Sequence, residues 1–245
     1  MFEIWIFFSL YNIVRKYMLC CVFPECYKLS QITPLLKKAS LNPSESLSYR
    51  PISNLRTLGK LLERLAQIQL RPCLFSSPAF SPYQSAYRPG FSTETAALYI
   101  ADSLFRSSST SLIVFLDLSS AFYCVSHSIH LDRLSKDFAV SDLAPAWLRS
   151  YLSDRTQFVM WEGIRSSSSS VSMGVPQGSV LGPLLFAIYV SPVSRLLASF
   201  GLLHHSYADD TTLILAVDSP SISLALLVRD VPPRFLVGFP STACN

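Results

Sequence analysis

One short stretch, residues 206–211 with the sequence SYADDT, constrains the fold of this chain most strongly. Its adjacent carboxylates, Asp209 and Asp210, separate an apolar run from the β-rich residues 211–217, a pattern typical of strand, two-residue turn and strand. We therefore predict a hairpin with both aspartates at its tip. Because neighbouring carboxylates repel each other and Mg²⁺ prefers oxygen ligands, the pair indicates a metal site. An ordinary solvated turn is the alternative for the dipeptide taken alone.

A third carboxylate, Asp117, follows the apolar run of residues 112–116. Such a run, bounded by polar residues, is typical of a buried strand, and α/β proteins tend to place ligand-binding groups where strands end. Pairing this strand with the hairpin would bring Asp117, Asp209 and Asp210 together. Three carboxylates in this arrangement are the ligand set of a two-metal phosphoryl-transfer site.

Composition and charge limit the function classes. The chain has 245 residues, half of them hydrophobic, which excludes a disordered protein and allows one large or two small domains. Residues 1–90 carry 11 Lys and Arg against 4 Asp and Glu, whereas residues 91–245 carry 9 against 12. A basic first third beside an acidic remainder suits a polyanion held by one lobe and metal ions held by the other. Ordinary solvated charge is the alternative.

The cysteines and histidines do not indicate a second metal site. The six cysteines lack the paired spacing of zinc ligands, so we predict free, buried thiols in a reducing compartment. His204 and His205 alternate across the predicted strand and cannot both face one ion, which favours structural roles.

The apolar leader, residues 1–23, does not favour a membrane anchor. Arg15 and Lys16 interrupt it, the remaining run is too short to span a bilayer, and no positive region precedes it as a secretory signal requires. We therefore predict an intracellular protein, nuclear or cytoplasmic. A membrane-anchored protein is the weaker alternative, which rests on the leader alone.

Helical spacing of leucines after Asn54 predicts a packing helix that ends at Pro72. Its predicted inner face includes Leu58, Leu61 and Ile68, and its polar outer face includes Glu63 and Gln67. A solvated outer face is the default, and contact with nucleic acid is the alternative.

Other local signals place the remaining elements. Ser92 is predicted to cap the N-terminus of a helix, and residues 128–152 to be helical. A strand at 157–161 should return near 170–172, with the serine run 166–170 as the hairpin tip. The loop 174–183 leads into an apolar helix.

Five segments resemble the reverse transcriptase of non-LTR (LINE-type) retrotransposons, in the order of that family and over about residues 28–217. They are YRPIS at 49–53, QSAYRPGFST at 84–93, LDLSSAF at 116–122, GVPQGSVLGP at 174–183 and YADD at 207–210. Each segment alone has modest specificity. Together they identify the chain as a member of this family, in a truncated copy.

The resemblance implies a mixed α/β (α+β) fold of the right-hand polymerase class. It would comprise fingers and a palm whose antiparallel sheet packs on helices, with the thumb absent. The implied divisions are a leader of unclear role (1–27), a fingers-like segment (28–110), the palm with the catalytic aspartates (111–217) and a divergent tail (218–245).

The resemblance also implies the site and the reaction. Two Mg²⁺ ions, or Mn²⁺ in their place, would be held by Asp117 and Asp209 with help from Asp210 and the Leu118 carbonyl. The implied nucleotide-binding residues are Arg88, Phe122, Gln177 and Arg50, and the implied nucleic-acid contacts are Lys37, Lys38 and Gly178. The implied partners are an RNA template, a DNA primer and deoxynucleoside triphosphates, with Phe122 excluding a 2′-hydroxyl. Apart from the resemblance, Arg88 could be structural, Phe122 a core residue and each lysine an exposed loop charge.

Two departures from the family pattern leave an alternative open. Tyr123 and Ser126 replace acidic residues that relatives carry, and no lysine follows Lys136, although relatives use one there to protonate the departing pyrophosphate. The alternative function is therefore a catalytically inactive, nucleic-acid-binding remnant, which would bind RNA or DNA in a salt-sensitive way without extending a primer.

Overall fold

A computed structural model describes residues 15–107, 111–118, 122–141 and 143–216 of this chain. The chain divides into two compact units, Met1–Ser76 with Val125–Gly182 and Ser77–Cys124 with Pro183–Asn245. The segments predicted as fingers-like (28–110) and palm (111–217) each contribute to both units, so those two boundaries stay a prediction.

The described residues form the following elements. The strands are β1 (Leu29–Leu36), β2 (Tyr49–Asn54), β3 (Ser111–Leu116), β4 (Arg155–Trp161), β5 (Ile164–Arg165), β6 (Ser169–Val171), β7 (Leu203–Tyr207) and β8 (Asp210–Ala216). The helices are α1 (Thr57–Ser76), α2 (Thr93–Arg106), α3 (His127–Lys136), α4 (Leu143–Leu152) and α5 (Gly182–Ser199). Short 3₁₀ turns precede β1 and β2, at Glu25–Tyr27 and Ser46–Ser48.

The first unit contains a mixed five-stranded sheet. Its order is β2-β1-β4-β5, with β6 also paired to β4; β1 runs antiparallel to β2 and parallel to β4. Fully buried leucines of α1, α3 and α4, such as Leu62, Leu134 and Leu148, lie in the core of this unit. Burial of these apolar side chains is the main stabilising contribution to such a unit.

The second unit contains an antiparallel three-stranded sheet in the order β3-β8-β7. His204 Nε2 lies 2.6 Å from Ser194 Oγ of α5, whereas the ring of His205 packs on Tyr99 of α2 at 4.6 Å between centroids. Because neighbouring residues of a strand face opposite sides, the sheet lies between α5 and α2. The structural roles predicted for the two histidines agree with these separate partners. Ser92 caps α2 as predicted, within a capping box closed by Thr95.

The prediction for α1 was wrong in its inner face and in its end. Glu63 is 1% exposed and Gln67 9%, whereas Leu58 and Leu61 are both 39% exposed. Polar side chains occupy the core because each has a hydrogen-bonding partner there, as described below. The helix also continues through Pro72 to Ser76.

Three smaller predictions were also wrong. The end of the apolar leader belongs to the first unit, because Phe23 is fully buried and packs edge-on against Trp147 and Tyr151. The hairpin that follows β4 turns at Glu162 and Gly163, since Trp161 pairs with Ile164, and not at the serine run. None of the five cysteines in the described residues is buried; all five are free thiols.

Helix α5 is the one helix of the described residues that is long and apolar enough to cross a membrane, with a mean hydropathy of 1.3. Most of it is buried inside the structure, however, and a core helix meets the same criteria of length and composition. This finding is weak evidence for a membrane span.

Candidate active site

The predicted hairpin is present and carries the aspartates at its turn. Strands β7 and β8 pair antiparallel with Tyr207 opposite Asp210, which leaves Ala208 and Asp209 as the two turn residues. Asp210 is therefore the first residue of β8 and not part of the turn itself. The prediction of a hairpin is confirmed, with this difference of one residue.

Asp117 lies at the same end of the sheet as the hairpin turn. It directly follows Leu116, which pairs with Thr211 of the central strand β8, and Asp210 directly precedes Thr211. The antiparallel register therefore places Asp117 beside the hairpin aspartates. Sequence alone predicted this juxtaposition because a strand end and a hairpin tip are both local signals.

The three carboxylates interact electrostatically. Partial burial, followed by the negative charges of Asp209 and Asp117, raises the pKa of Asp210 above its usual range. Asp117 and Asp210 are exposed and Asp209 is half-buried, so water and ions reach them. Within the described parts of the chain, no three Asp, Glu, His or Cys side chains converge closely enough to enclose an ion. The carboxylates thus share one end of the sheet without forming a closed cage.

The donor set at this end of the sheet is composed of oxygen atoms. It consists of the three carboxylates and the main-chain carbonyl of Leu118, which follows Asp117. Hard divalent cations prefer such ligands, and a bound cation would offset the repulsion between the carboxylates. The residues present therefore fit a divalent metal.

A tyrosine that the sequence analysis did not single out lies beside the turn. Burial, the Asp209 charge and Tyr207 raise the pKa of Tyr87 to about 12, so its hydroxyl stays protonated at neutral pH. Tyr87 also has a φ of +66°, which is uncommon for a residue with a bulky side chain. The only sequence signal for it is its place in the segment of residues 84–93.

Arg88 follows Tyr87 and is engaged by its own loop. Its Nη1 donates to the Pro82 carbonyl at 3.2 Å, and its guanidinium lies over the ring of Phe91 at 4.7 Å from the centroid. The cation–π contact and the hydrogen bond hold the side chain in place while leaving other N–H groups for a ligand. Its predicted contact with phosphate stays a prediction.

Phe122 packs in the second unit against α5. Its ring stacks on Phe186 at 4.9 Å between centroids and an interplanar angle of 29°, and it is half-buried. The partial exposure is compatible with a core residue and with a surface for a nucleotide. The predicted selection against a 2′-hydroxyl stays a prediction.

The other predicted contact residues lie in the first unit. Arg50 is exposed on β2, and Lys37 and Lys38 are exposed just after β1. The Gln177 carbonyl accepts a hydrogen bond from the Ser53 amide at 2.7 Å. Gly178 has a φ of +118°, and a Cβ atom there would lie 2.6 Å from the Ser53 carbonyl oxygen, so only glycine fits. Their contacts with nucleotide or nucleic acid stay predictions.

A buried carboxyl that the sequence analysis placed on the outer face of α1 holds this loop. Glu63 Oε2 accepts hydrogen bonds from the amides of Val180 at 2.6 Å and Leu181 at 3.1 Å, and Gln67 Nε2 donates to the Val180 carbonyl at 3.1 Å. Burial raises the pKa of Glu63, and the two amide donors oppose that rise. We name residues 176–181 the anchored loop.

Solved structures resemble this chain at the level of the fold. Apo telomerase from Candida tropicalis, truncated from its C-terminal domain, matches 89% of this chain and 49% of its own length with a TM-score of 0.58 and 13% sequence identity. An antiparallel sheet packed on helices, with carboxylates at one end, and this likeness define the right-hand polymerase class of fold.

The sequence comparisons define the family. Residues 36–229 match the model for "Reverse transcriptase (RNA-dependent DNA polymerase)". The chain is 31% identical over 201 residues to the RNA-directed DNA polymerase from mobile element jockey of Drosophila melanogaster. It is 32% identical over 210 residues to the probable RNA-directed DNA polymerase from transposon BS of the same species.

The chain therefore belongs to the reverse transcriptase family, and the resemblance to polymerases of non-LTR retrotransposons is confirmed. Each of the two relatives named is matched over 78% of this chain but over only 22% of its own length. The chain thus spans about a fifth of these relatives.

Proposed function

We propose that this chain is the fingers-and-palm part of an RNA-directed DNA polymerase. It would extend a DNA primer on an RNA template, by attack of the primer 3′-hydroxyl on the α-phosphate of a deoxynucleoside triphosphate with release of pyrophosphate. The observation that carries this proposal is the placement of Asp117, Asp209 and Asp210 at one end of the antiparallel sheet in a chain of the reverse transcriptase family.

In this proposal the aspartates hold two divalent cations, Mg²⁺ or Mn²⁺. Asp117 and Asp209 are the main ligands, assisted by Asp210 and the Leu118 carbonyl. When bound, such ions activate the attacking hydroxyl and stabilise charge on the leaving phosphates. The exposure of Asp117 and Asp210 supports this role, because substrate phosphates must reach the same ions.

The remaining predicted residues bind the partners. Arg88 and Arg50 would contact the triphosphate, since guanidinium binds phosphate oxygens in a bidentate way. Gln177 would contact the nascent base pair, and Phe122 would pack below the sugar. Lys37, Lys38 and the backbone at Gly178 would contact nucleic acid. Their exposure, or in the case of Gly178 its lack of a side chain, supports these roles. We further propose an intracellular location, nuclear or cytoplasmic, where such substrates are present.

Primer extension tests the proposal. Purified full-length chain is incubated with a poly(rA)/oligo(dT) hybrid, dTTP and Mg²⁺, beside an Asp209→Asn variant. Loss of a metal ligand should reduce extension at least about a hundredfold. Asp102→Asn is a matched control, because Asp102 is an exposed carboxylate in the same unit, paired with Arg106 at 2.7 Å, and its removal should leave extension unchanged.

The alternative outcomes are distinct. If the folded wild-type chain binds the hybrid in a salt-sensitive way but does not extend it, the chain is a nucleic-acid-binding module and the polymerase proposal is wrong. Equal extension by the wild type and the Asp209→Asn variant would also contradict the proposed site.

A further inference from the structure

A buried glutamine holds the main chain of the aspartate turn at both of its polar groups. Gln84 is 2% exposed, and its side-chain Nε2 donates to the Ala208 carbonyl at 3.0 Å. Its Oε1 accepts from the Ala208 amide, also at 3.0 Å. One side chain thus satisfies the only donor and the only acceptor of the residue that immediately precedes Asp209.

The turn needs this support because of its backbone conformation. Ala208 has a φ of +57°, and a positive φ at the first of two hairpin turn residues normally requires glycine. An alanine in the left-handed region costs on the order of 1 kcal/mol relative to its usual conformations. The two hydrogen bonds from Gln84 offset that cost. The direction of the Asp209 side chain depends directly on the backbone conformation of Ala208.

Gln84 is itself fixed in position, so it can act as a rigid anchor. Its Oε1 also accepts from the Ala86 amide at 3.1 Å. The main chain on either side bonds β7, from the Ser85 amide to the Ser206 carbonyl at 3.0 Å and from the Ser206 amide to the Tyr83 carbonyl at 2.9 Å. Ser85 Oγ also lies 2.7 Å from His205 Nε2. Residues 83–86 therefore lie along β7 like a short additional strand and bring Gln84 to the turn.

The chemistry of the amide suits its surroundings. The turn presents one N–H and one C=O, and only a side chain that both donates and accepts can satisfy the two together. A carboxylate of the same shape could accept but not donate, and it would add a further negative charge beside Asp209 and Asp210. A neutral amide stabilises the turn without this repulsion.

We propose that Gln84 is a positioning residue that fixes the aspartate turn so that Asp209 is held ready for a divalent cation. This inference rests on the proposed function, because it assigns to Gln84 a role toward the metal held by Asp117 and Asp209. Gln84 touches neither substrate nor metal in this role; it acts through the main chain of Ala208. Residues that orient metal ligands in this way typically change metal affinity 10- to 100-fold when they are altered.

The test measures Mn²⁺ binding to the full chain, by electron paramagnetic resonance of the free ion, together with hydrogen exchange of the hairpin. Gln84→Met keeps the length of the side chain and removes both hydrogen bonds. We expect about tenfold or greater loss of Mn²⁺ affinity and faster exchange confined to residues 203–216. Gln84→Glu keeps the shape and the acceptor and should also weaken binding. It serves as the second variant if Gln84→Met does not fold.

Ser194→Ala is the matched control. It removes the hydrogen bond between Ser194 and His204, a buried contact to the same strand β7 but away from the turn. It should lower the thermal stability and leave Mn²⁺ affinity unchanged. This control separates a general loss of stability from a specific effect on the turn.

Three results would overturn the inference. Unchanged Mn²⁺ affinity in a folded Gln84→Met chain would show that Gln84 is merely structural, even if exchange increases. Equal loss of affinity in the Ser194→Ala control would show that any weakening of β7 has the same effect. If the wild type binds no Mn²⁺ in an Asp209-dependent way, the metal site of the proposed function fails, and the role of Gln84 toward it fails with it.

Discussion

The anchored loop in the first unit and the aspartate turn in the second are each held by one buried side chain from a distant part of the sequence. Glu63 holds the loop across 117 residues of sequence, and Gln84 holds the turn across 124. Both anchors bind main-chain atoms. One anchor, however, is a carboxyl and the other is an amide.

The difference follows from what each segment offers. The anchored loop presents the amides of Val180 and Leu181 just before α5 begins, and the N-terminus of a helix carries unpaired N–H groups and partial positive charge. An acceptor-only carboxyl suits that position. The aspartate turn presents a donor and an acceptor beside two carboxylates, where a neutral amide suits better. The comparison teaches that a buried polar residue is selected by the groups it must satisfy and by the charge already present.

The largest expected effect comes from removing the carboxyl anchor. Glu63→Leu leaves two amides at the start of α5 without their acceptor in the core and should cost about 4 kcal/mol of unfolding free energy. Glu63→Gln retains one acceptor oxygen and should cost less than half as much. Urea unfolding followed by far-ultraviolet circular dichroism measures both. A loss below about 1 kcal/mol for Glu63→Leu would contradict the anchoring role.

The backbone of the anchored loop gives the next largest effect. Gly178→Ala would place a Cβ atom 2.6 Å from the Ser53 carbonyl oxygen at a φ of +118°, so either the loop or β2 must move. We expect a loss of about 2–3 kcal/mol. Gly163→Ala is the matched control, because Gly163 also has a positive φ, +81°, but no atom lies within 4 Å of the added Cβ. Equal losses for the two variants would show that contact with Ser53 is unimportant.

Acidification separates the two anchors because Glu63 titrates and Gln84 does not. Burial lowers the pKa of His130 in the first unit to about 3, so the folded state disfavours its charged form. Its contribution to stability is present above about pH 6.5 and is lost as the pH falls below that value, by about 1.4 kcal/mol per pH unit.

Glu63 has the opposite sign. Its raised folded-state pKa means that the folded chain binds its proton more readily, so its contribution falls as the pH rises above 4.5 through that folded-state value. Unfolding free energies measured from pH 7 to pH 5 should therefore fall on acidification, less steeply in a His130→Phe variant and more steeply in Glu63→Gln. A His130→Phe profile parallel to the wild type would refute the assignment to His130.

The smallest effect concerns the backbone of the aspartate turn. Ala208→Gly removes the steric cost of a φ of +57° but increases the entropy of the unfolded chain, so a net gain of about 0.5 kcal/mol is expected. Thermal unfolding should shift upward by about 1–2 °C. Destabilisation by more than about 1 kcal/mol would mean that the alanine side chain itself stabilises the turn. This result contrasts with Gly178, where the reverse substitution should be costly.

Local patterns predicted the elements that carry the candidate site. The alternation around Asp209 and Asp210, the apolar run before Asp117 and the Ser92 cap each depend on residues close in sequence, and the structure contains all three. The inner face of α1 was predicted incorrectly because Glu63 and Gln67 look solvent-facing unless their partners are known. The serine run was taken for a hairpin tip for a similar reason, since its composition did not show that Glu162 and Gly163 turn first.

The sequence by itself determined the family, the hairpin with its aspartates and the strand that ends at Asp117. Periodicity, turn chemistry and short motifs are properties of neighbouring residues, and they persist without a tertiary structure. Only the tertiary structure decided which polar side chains are buried and which main-chain groups they hold. The pairing of Gln84 with Ala208 and of Glu63 with Val180 depends on long-range packing, which brings a donor and an acceptor together only after the chain has folded.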